Sequence, residues 1–264
     1  MRIVCHGDID GLACAAIVIL NVNKGRWCDV EYALPSGQFD PTGAIVLDLA
    51  MDRNQPSKSI AYLDSCEIWI DHHSGWTVQH PRLLCKPRSS CAEVVHEHFK
   101  CSTGWDLVEI ARQCDTGFPT LDDALVFHKT LKTDFVSRAM KDLILACMIG
   151  KLPVTVLEPY VRHYDRAIDA ETMRLFSRSD SIGNVGFVLA STHKIYDKSK
   201  LLSLLYADHE YGVVISRKNG EYRTTIATRN PDVNLLSMFN LKSGSPSRVT
   251  MKGHKLLEIL EVVS

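Results

Sequence analysis

The sequence contains no apolar run near the roughly 20 residues that a membrane span requires. It also has no internal repeat and no low-complexity tract, which sets aside repeat arrays and disordered chains. The nine cysteines are odd in number, scattered and never spaced Cys-x-x-Cys. That pattern argues against a disulfide framework and against a zinc knuckle. Cys5, Cys14 and Cys147 fall in apolar surroundings, where cysteine acts as a small hydrophobe. No positive segment precedes the apolar residues 12–20; His6, Asp8 and Asp10 stand there instead, so a signal peptide is not indicated and a cytoplasmic location is expected. Aromatic residues make up only 8% of the chain, and few fall in its last third, which leaves little for stacking on bases. Net charge is slight at −1, yet uneven: residues 1–179 hold 19 Lys and Arg against 23 Asp and Glu, and residues 180–264 hold 11 against 8. The first excess suits cations; the second suits a polyanion, although a surplus of that size is also ordinary solvated surface.

What is present is a 264-residue chain with 45% hydrophobic and 23% charged residues, enough for two compact globular units. Three short apolar stretches, residues 2–5, 44–47 and 68–70, are rich in strand formers and too short for helices. Each runs directly into acids or imidazoles: His6-Gly7-Asp8-Ile9-Asp10-Gly11, Asp48, and Asp71-His72-His73. Open α/β sheets place their sites at this end of their strands. The convergence predicts a paired divalent-metal centre at the carboxyl edge of a mainly parallel sheet.

Further strands are expected at 28–33 and 82–85, with breakers at Pro35-Ser36-Gly37 and Pro41-Thr42-Gly43. Helices are expected at 12–20 and 57–65, and at 91–99 behind Ser90, with Glu93 completing a capping box. Residues 107–114, 121–131, 135–149 and 153–176 carry helical periodicity, the last being polar enough for a connector between domains. Residues 177–186 form the expected boundary, dividing the chain into 1–177 and 186–264. In the second part, strands are expected at 185–190, 212–216 and 222–227, the last two joined by a Lys218-Asn219-Gly220 turn, with helices at 198–206 and 253–262.

His6, Asp8 and Asp10 alternate, so an extended segment would turn all three one way and a tight turn would fan them around a cation. The plainer alternative, Asp10 capping the helix that follows, accounts for one acid but not for three ligand-type groups. Carboxylates and imidazole without thiolate favour Mn²⁺ or Mg²⁺, with zinc or cobalt as alternatives. Carboxylates shared by two cations roughly 4 Å apart suit phosphoryl hydrolysis. Asp115, in Cys114-Asp115-Thr116-Gly117-Phe118, closes a helical stretch against the helix dipole and is a further candidate; a turn residue supporting Thr116-Gly117 is the alternative. His96/His98 and Asp122/Asp123 are assigned to solvent, since a spacing of two on a helix gives no shared face.

These four segments, His6-x-Asp8-x-Asp10-Gly11, Asp48, Asp71-His72-His73 and Asp115-Thr116-Gly117, resemble in order and spacing the four motifs of the DHH phosphoesterase superfamily. That group includes RecJ-like exonucleases, nanoRNases and family II pyrophosphatases. The resemblance implies one metal held by His6, Asp8 and Asp48 and another by Asp10, Asp48, His72 and Asp115, with Asp48 bridging. It also implies that Asp71 orients a histidine and that His73 contacts the phosphate or protonates the leaving oxygen. Catalytic roles thus fall to His73, Asp48 and Asp71. The first motif here is the compact form, without proline between the histidine and the first acid.

The resemblance extends to a DHHA1-like second domain. Thr228-Arg229 follows a strand, and Lys252-Gly253-His254 stands where the family has a glycine-rich stretch ending in Gly-His. Here the stretch from Gly244 to His254 lacks the run of glycines, and Arg248 or Lys252 substitutes for it. With His73, the implied phosphate-binding set is Arg229, Arg248, Lys252, Gly253 and His254. The expected protein is a two-metal phosphodiesterase or exonuclease, Mn²⁺ foremost and Mg²⁺ or Co²⁺ as substitutes, releasing mononucleotides from short or single-stranded oligonucleotides. The alternatives are a small-phosphate hydrolase acting on a nucleotide bisphosphate, dinucleotide or pyrophosphate, and a nucleic-acid-binding scaffold without activity.

Overall fold

The computed structural model describes residues 1–34, 37–52, 55–116, 119–190, 195–218, 220–241 and 245–263. Pro35, Ser36, Gly117, Phe118, Asn219 and Gly244, which figured in the expected turns and motifs, lie outside the described residues. Two compact units divide the chain, Met1–Tyr164 and Asp165–Ser264.

The first unit runs β1 (Arg2–His6), α1 (Ile9–Asn21), β2 (Asp29–Ala33), β3 (Ala44–Leu47), α2 (Pro56–Ser65), β4 (Ile68–Asp71), β5 (Leu83–Cys85), α3 (Cys91–His98), α4 (Trp105–Asp115), α5 (Asp122–Thr133), α6 (Arg138–Met148), a 3₁₀ turn (Val154–Leu157) and the start of α7 (Glu158–Phe176). Its five strands pair in parallel in the order β2-β1-β3-β4-β5. A parallel sheet is covered on both faces, which explains strands that read as unbroken apolar runs. Alternation sorts them: Ile3, Cys5, Ile45, Leu47 and Ile70 join the core beneath α1, while Val4, Ala44, Val46 and Trp69 join a second core with Phe39 and Leu63. Helix α1 is buried continuously from Ile9 to Ile19, so it is a central rather than a surface helix. Strand order reverses between β1 and β3, and α/β sheets of this order bind ligands at that switch point.

The second unit contains the rest of α7, then β6 (Asp180–Ile182), β7 (Val185–Ala190), α8 (Lys198–Leu205), β8 (Tyr211–Lys218), β9 (Glu221–Thr228), α9 (Leu235–Met238), β10 (Arg248–Lys252) and α10 (Leu256–Val263). Its sheet, β10-β9-β8-β7-β6, is mixed, with only β7 and β8 parallel. Helix α8 covers one face through Leu201, Leu202 and Leu205; Leu235 of α9 and Ile259 of α10 cover the other.

Three local expectations are corrected. The division falls inside α7, not at 177–186, because Leu175 joins the core of the second unit and Thr172 accepts the amide of Asp197. Residues 180–182 are strand β6, not linker. Residues 248–252 are strand β10, so Lys252-Gly253-His254 does not open the last helix: Lys252 ends the strand and α10 begins at Leu256. Among the described residues, no helix is long and apolar enough to cross a membrane.

Candidate metal centre

Strand β1 delivers His6 at its end, and the chain turns at once into α1. The turn is tight enough that a Cβ on Gly11 would lie 2.2 Å from the His6 carbonyl oxygen, so only glycine fits there. Asp8, not Asp10, caps α1: one carboxylate oxygen accepts the Gly11 amide at 3.0 Å while the other meets His6 Nδ1 at 2.7 Å. Asp10 is therefore released to the first turn of the helix, 2% exposed, where it accepts the amides of Cys91 at 2.6 Å and Ala92 at 2.9 Å. The capping box expected at Ser90 and Glu93 does not form. Asp10 supplies the anion at the start of α3, the Ser90 hydroxyl has no hydrogen-bond partner, and Glu93 accepts from Ser89 instead.

Asp48 follows β3 in the left-handed region, φ 58°, with its amide bonded to the Ile70 carbonyl and its side chain 1% exposed. That conformation costs a non-glycine residue about 1–2 kcal/mol, and it turns the carboxylate into the cluster. Asp48 Oδ2 lies 3.8 Å from His6 Nδ1, and Asp48 Oδ1 lies 3.5 Å from His72 Nε2. His72 Nε2 is also 3.6 Å from Asp10 and 3.9 Å from Asp115 at the end of α4. Ligand-type atoms thus gather in overlapping sets: His6, Asp8 and Asp48; Asp10, His72 and Asp115; and Asp48, His72 and His73.

The second nitrogen of each histidine decides its role. His72 Nδ1 faces the Arg88 carbonyl at 3.1 Å; a carbonyl only accepts, so Nδ1 carries a proton, and the proton the ring gives up on becoming neutral is the one on Nε2, which faces the acids. His73 Nδ1 is held by Asp71 at 2.7 Å, so the histidine that Asp71 orients is His73. Trp76 Nε1 donates to the other Asp71 oxygen at 2.6 Å, a contact the sequence reading missed. Its available signal is Ser74-Gly75, two residues able to fold the chain back within five positions of Asp71; Gly75 has φ 123°.

The electrostatics show a site short of positive charge. Burial and mutual repulsion raise Asp10 well above the usual carboxylate range, and burial likewise raises Asp48. Burial opposes charge on His6, yet its bonds to Asp48 and Asp8 carry its pKa up to about 10. His72 also reaches about 10 against burial, through Asp48, the Arg88 carbonyl and the charge of Asp10. Burial works against the charge of Asp71 too, but His73 and Trp76 outweigh it and hold that carboxyl low. The bond to Asp71 raises His73. Cys91 lies within ligand distance of Asp48 and Asp71, but burial pushes its thiol up, so it stays protonated and is a poor ligand.

A divalent metal fits these residues. Asp48 Oδ1 and His72 Nε2 are buried, face each other and have no hydrogen-bond partner. Buried polar atoms left unpaired are rare and costly. Once His72 gives up its proton the two atoms are acceptors facing each other, for which a cation is the natural partner, and oxygen with imidazole is a donor set for Mn²⁺ or Mg²⁺.

Two cavities adjoin the cluster. One of about 400 Å³ is bordered by His72, His73, Trp76 and His80, and another of about 180 Å³ is bordered by Asp8, Asp10 and Asp115 on one side and His128, Lys132 and Phe135 on the other. The second unit has its own cavity of about 300 Å³, lined by Ser199, Ser203, Thr228, Ser245, Ser247 and Arg248.

The structure separates the expected phosphate-binding set. Arg248 pairs with Ala227 near Arg229, whereas Lys252 pairs with Arg223 at the opposite end of β9 and β10. Arg248 donates to Ser199 at the cavity rim, while Arg229 is spent locally, donating to the Tyr206 carbonyl at 2.9 and 3.3 Å and lying over the Tyr206 ring. Gly253 donates to the Tyr222 carbonyl at φ 90°, and His254 packs edge-on against Tyr222. One cradle containing all five residues does not exist, because an antiparallel pair carries its two ends away from each other.

No protein-family model and no curated protein sequence matches the chain. Among solved structures, a pGpG-specific phosphodiesterase, PggH from Vibrio cholerae, is similar over 98% of this chain and 96% of its own, at 17% identity and a TM-score of 0.53. RecJ in complex with Mn²⁺ from Thermus thermophilus aligns over 97% of this chain and 50% of its own, at 13% identity and a TM-score of 0.48. An exopolyphosphatase-related protein from Bacteroides fragilis aligns over 99% and 89%, at 12% and 0.38. A parallel sheet carrying His6, Asp48 and Asp71 at its carboxyl edge, followed by a second mixed-sheet unit, gives this chain the fold of that pGpG-specific phosphodiesterase.

Proposed function

We propose that the protein is a divalent-metal-dependent phosphodiesterase that releases mononucleotides from short oligonucleotides, dinucleotides foremost. The observation that carries this reading is the pair of buried, partnerless atoms Asp48 Oδ1 and His72 Nε2, 3.5 Å apart at the switch point of a parallel sheet. His6, Asp8 and Asp48 would hold one ion, and Asp10, Asp48, His72 and Asp115 the other, with Asp48 common to both. Two bound divalent ions supply charge neutralisation at a phosphoryl group and lower the pKa of water.

The chain's own residues supply the rest. The His72 ring is fixed by the Arg88 carbonyl, and the Asp10 carboxylate by two amides of α3, so neither has to reorganise to meet a cation. Asp71 holds His73 by Nδ1 and favours the protonated ring, which would leave Nε2–H to donate its proton to the departing ester oxygen. In the second unit, Arg248 and the surrounding hydroxyls suit a phosphate.

A pGpG-specific phosphodiesterase of the same fold supports a short substrate over a long one. The test is to incubate the purified protein with labelled dinucleotides and short oligomers in Mn²⁺, Mg²⁺ or Co²⁺. Mononucleotide release that EDTA abolishes is expected. Inorganic phosphate from small substrates, without mononucleotides, would establish the small-phosphate hydrolase instead, and EDTA-resistant binding with no turnover would establish a scaffold.

A further inference from the structure

The acid-rich cluster poses an electrostatic difficulty. With Asp71 compensated by His73, the carboxylates of Asp8, Asp10, Asp48 and Asp115 just cancel two divalent cations. An arriving phosphate, itself an anion, then meets no net positive charge. A further cation at the edge of the site would relieve this.

Lys141 in α6 is such a cation. The residue is only 9% exposed, although a lysine stem is long enough to carry its charge into water. Its ammonium lies 5.6 Å from the Tyr32 ring centre and 5.1 Å from that of Phe135. No salt bridge reaches it among the described residues. The tip fills the space left by Gly7, between His6 and Asp8: a Cβ on Gly7 would lie 2.7 Å from Nζ and 2.9 Å from Cε. Burial lowers the pKa of the ammonium, and the charges of Asp134 and Asp8 offset this only in part, so an anion joining it would relieve the cost of burying the charge. Phe135 also borders the cavity that contains Asp8 and Asp115, with Lys132 beside it, so this rim carries positive charge against an acidic floor. The lysine was legible as an anomaly. Lys141, Ile144, Leu145 and Met148 share one helical face, and the last three are buried apolar residues.

We propose that Lys141 binds a non-bridging oxygen of the substrate's phosphate at the His6–Asp8 edge of the site, with Gly7 as the opening through which its ammonium reaches it. The inference rests on the phosphodiesterase reading above.

The test compares wild type, K141M and K141R. Inorganic phosphate is titrated calorimetrically into each Mg²⁺-loaded protein, metal affinity is measured separately, and steady-state hydrolysis of a short oligomer follows. Phosphate affinity should fall at least about tenfold in K141M, with metal affinity unchanged, partial recovery in K141R, and a rise in KM that exceeds the fall in kcat. G7A, which keeps the charge but displaces the tip, should shift phosphate affinity the same way and carries the test if K141M does not fold. Unchanged phosphate affinity in both variants overturns the proposal, as does a wild type that binds no phosphate. A parallel loss of metal affinity also overturns it, since Lys141 would then serve only to balance Asp8. A wild type that binds phosphate through Lys141 yet cleaves no ester would sink the phosphodiesterase reading and leave this one standing.

Discussion

Trp76 Nε1 donates to Asp71 Oδ2 at 2.6 Å, on the carboxylate whose other oxygen holds His73. A hydrogen bond to a charged group contributes about 1.5–3 kcal/mol. Trp76→Phe keeps the ring in its aromatic cluster with Trp69 and removes only the donor. It should lower kcat by roughly one to two orders of magnitude, as that energy translates into rate, and leave metal affinity intact. Steady-state kinetics beside a metal titration checks this, and a loss of metal binding would contradict the assignment of Asp71 to His73.

Asp48 combines strain, burial and an unpaired oxygen. Asp48→Asn keeps the shape and tolerates the left-handed backbone while discarding the buried charge. The rise in Tm on adding Mn²⁺ should disappear in the variant. Asp48→Ala should cost more activity than any other single change in the site. A variant that still gains Tm with Mn²⁺ would count against a shared ligand.

The pH dependence has a definite sign. His6 and His72 each have a folded-state pKa raised to about 10, above the ordinary value near 6.5. Their contribution to the metal-free fold is fully present below about pH 6.5 and is lost as pH rises through about 10. Metal ligation needs the neutral rings, so binding must release protons. Tm in EDTA should fall across that window while metal affinity rises, and calorimetry in buffers of differing ionisation enthalpy should register proton release near neutrality.

In the second unit, Arg248 borders a cavity whereas Arg229 holds the carbonyl at the end of α8. Arg248→Ala should raise KM more than it lowers kcat. Arg229→Ala should also lower Tm, because the Tyr206 carbonyl loses its donor. Kinetics and melting measured on both variants separate the two roles; equal Tm values would refute the structural part played by Arg229.

The sheet was legible because its strands are short apolar runs that end at acids or imidazoles; β3 falls at 44–47 as read, and β4 at 68–71 extends the run 68–70 by one residue. The proximity of His6, Asp48 and His72 was legible for the same reason, since they stand where strands end, whereas Asp10 and Asp115 reach the cluster from helices. Asp10 as the cap of α3 was not, because Cys91 is 81 positions away and only tertiary contact joins them. Strand β10 was missed altogether, although Arg248-Val249-Thr250-Met251-Lys252 alternates polar and apolar, because the resemblance puts a glycine-rich loop at that stretch. The split of Arg248 from Lys252 follows from strand direction, which no local motif encodes.

Helix α1 is enclosed from Ile9 to Ile19, whereas Asp115 stands exposed at the tip of α4. Asp10 is consequently anchored in the enclosed part of the unit, where amides should exchange slowly, while Asp115 faces solvent. Ion entry and escape should therefore pass by Asp115, making that carboxylate the door of the centre and Asp10 its hinge post.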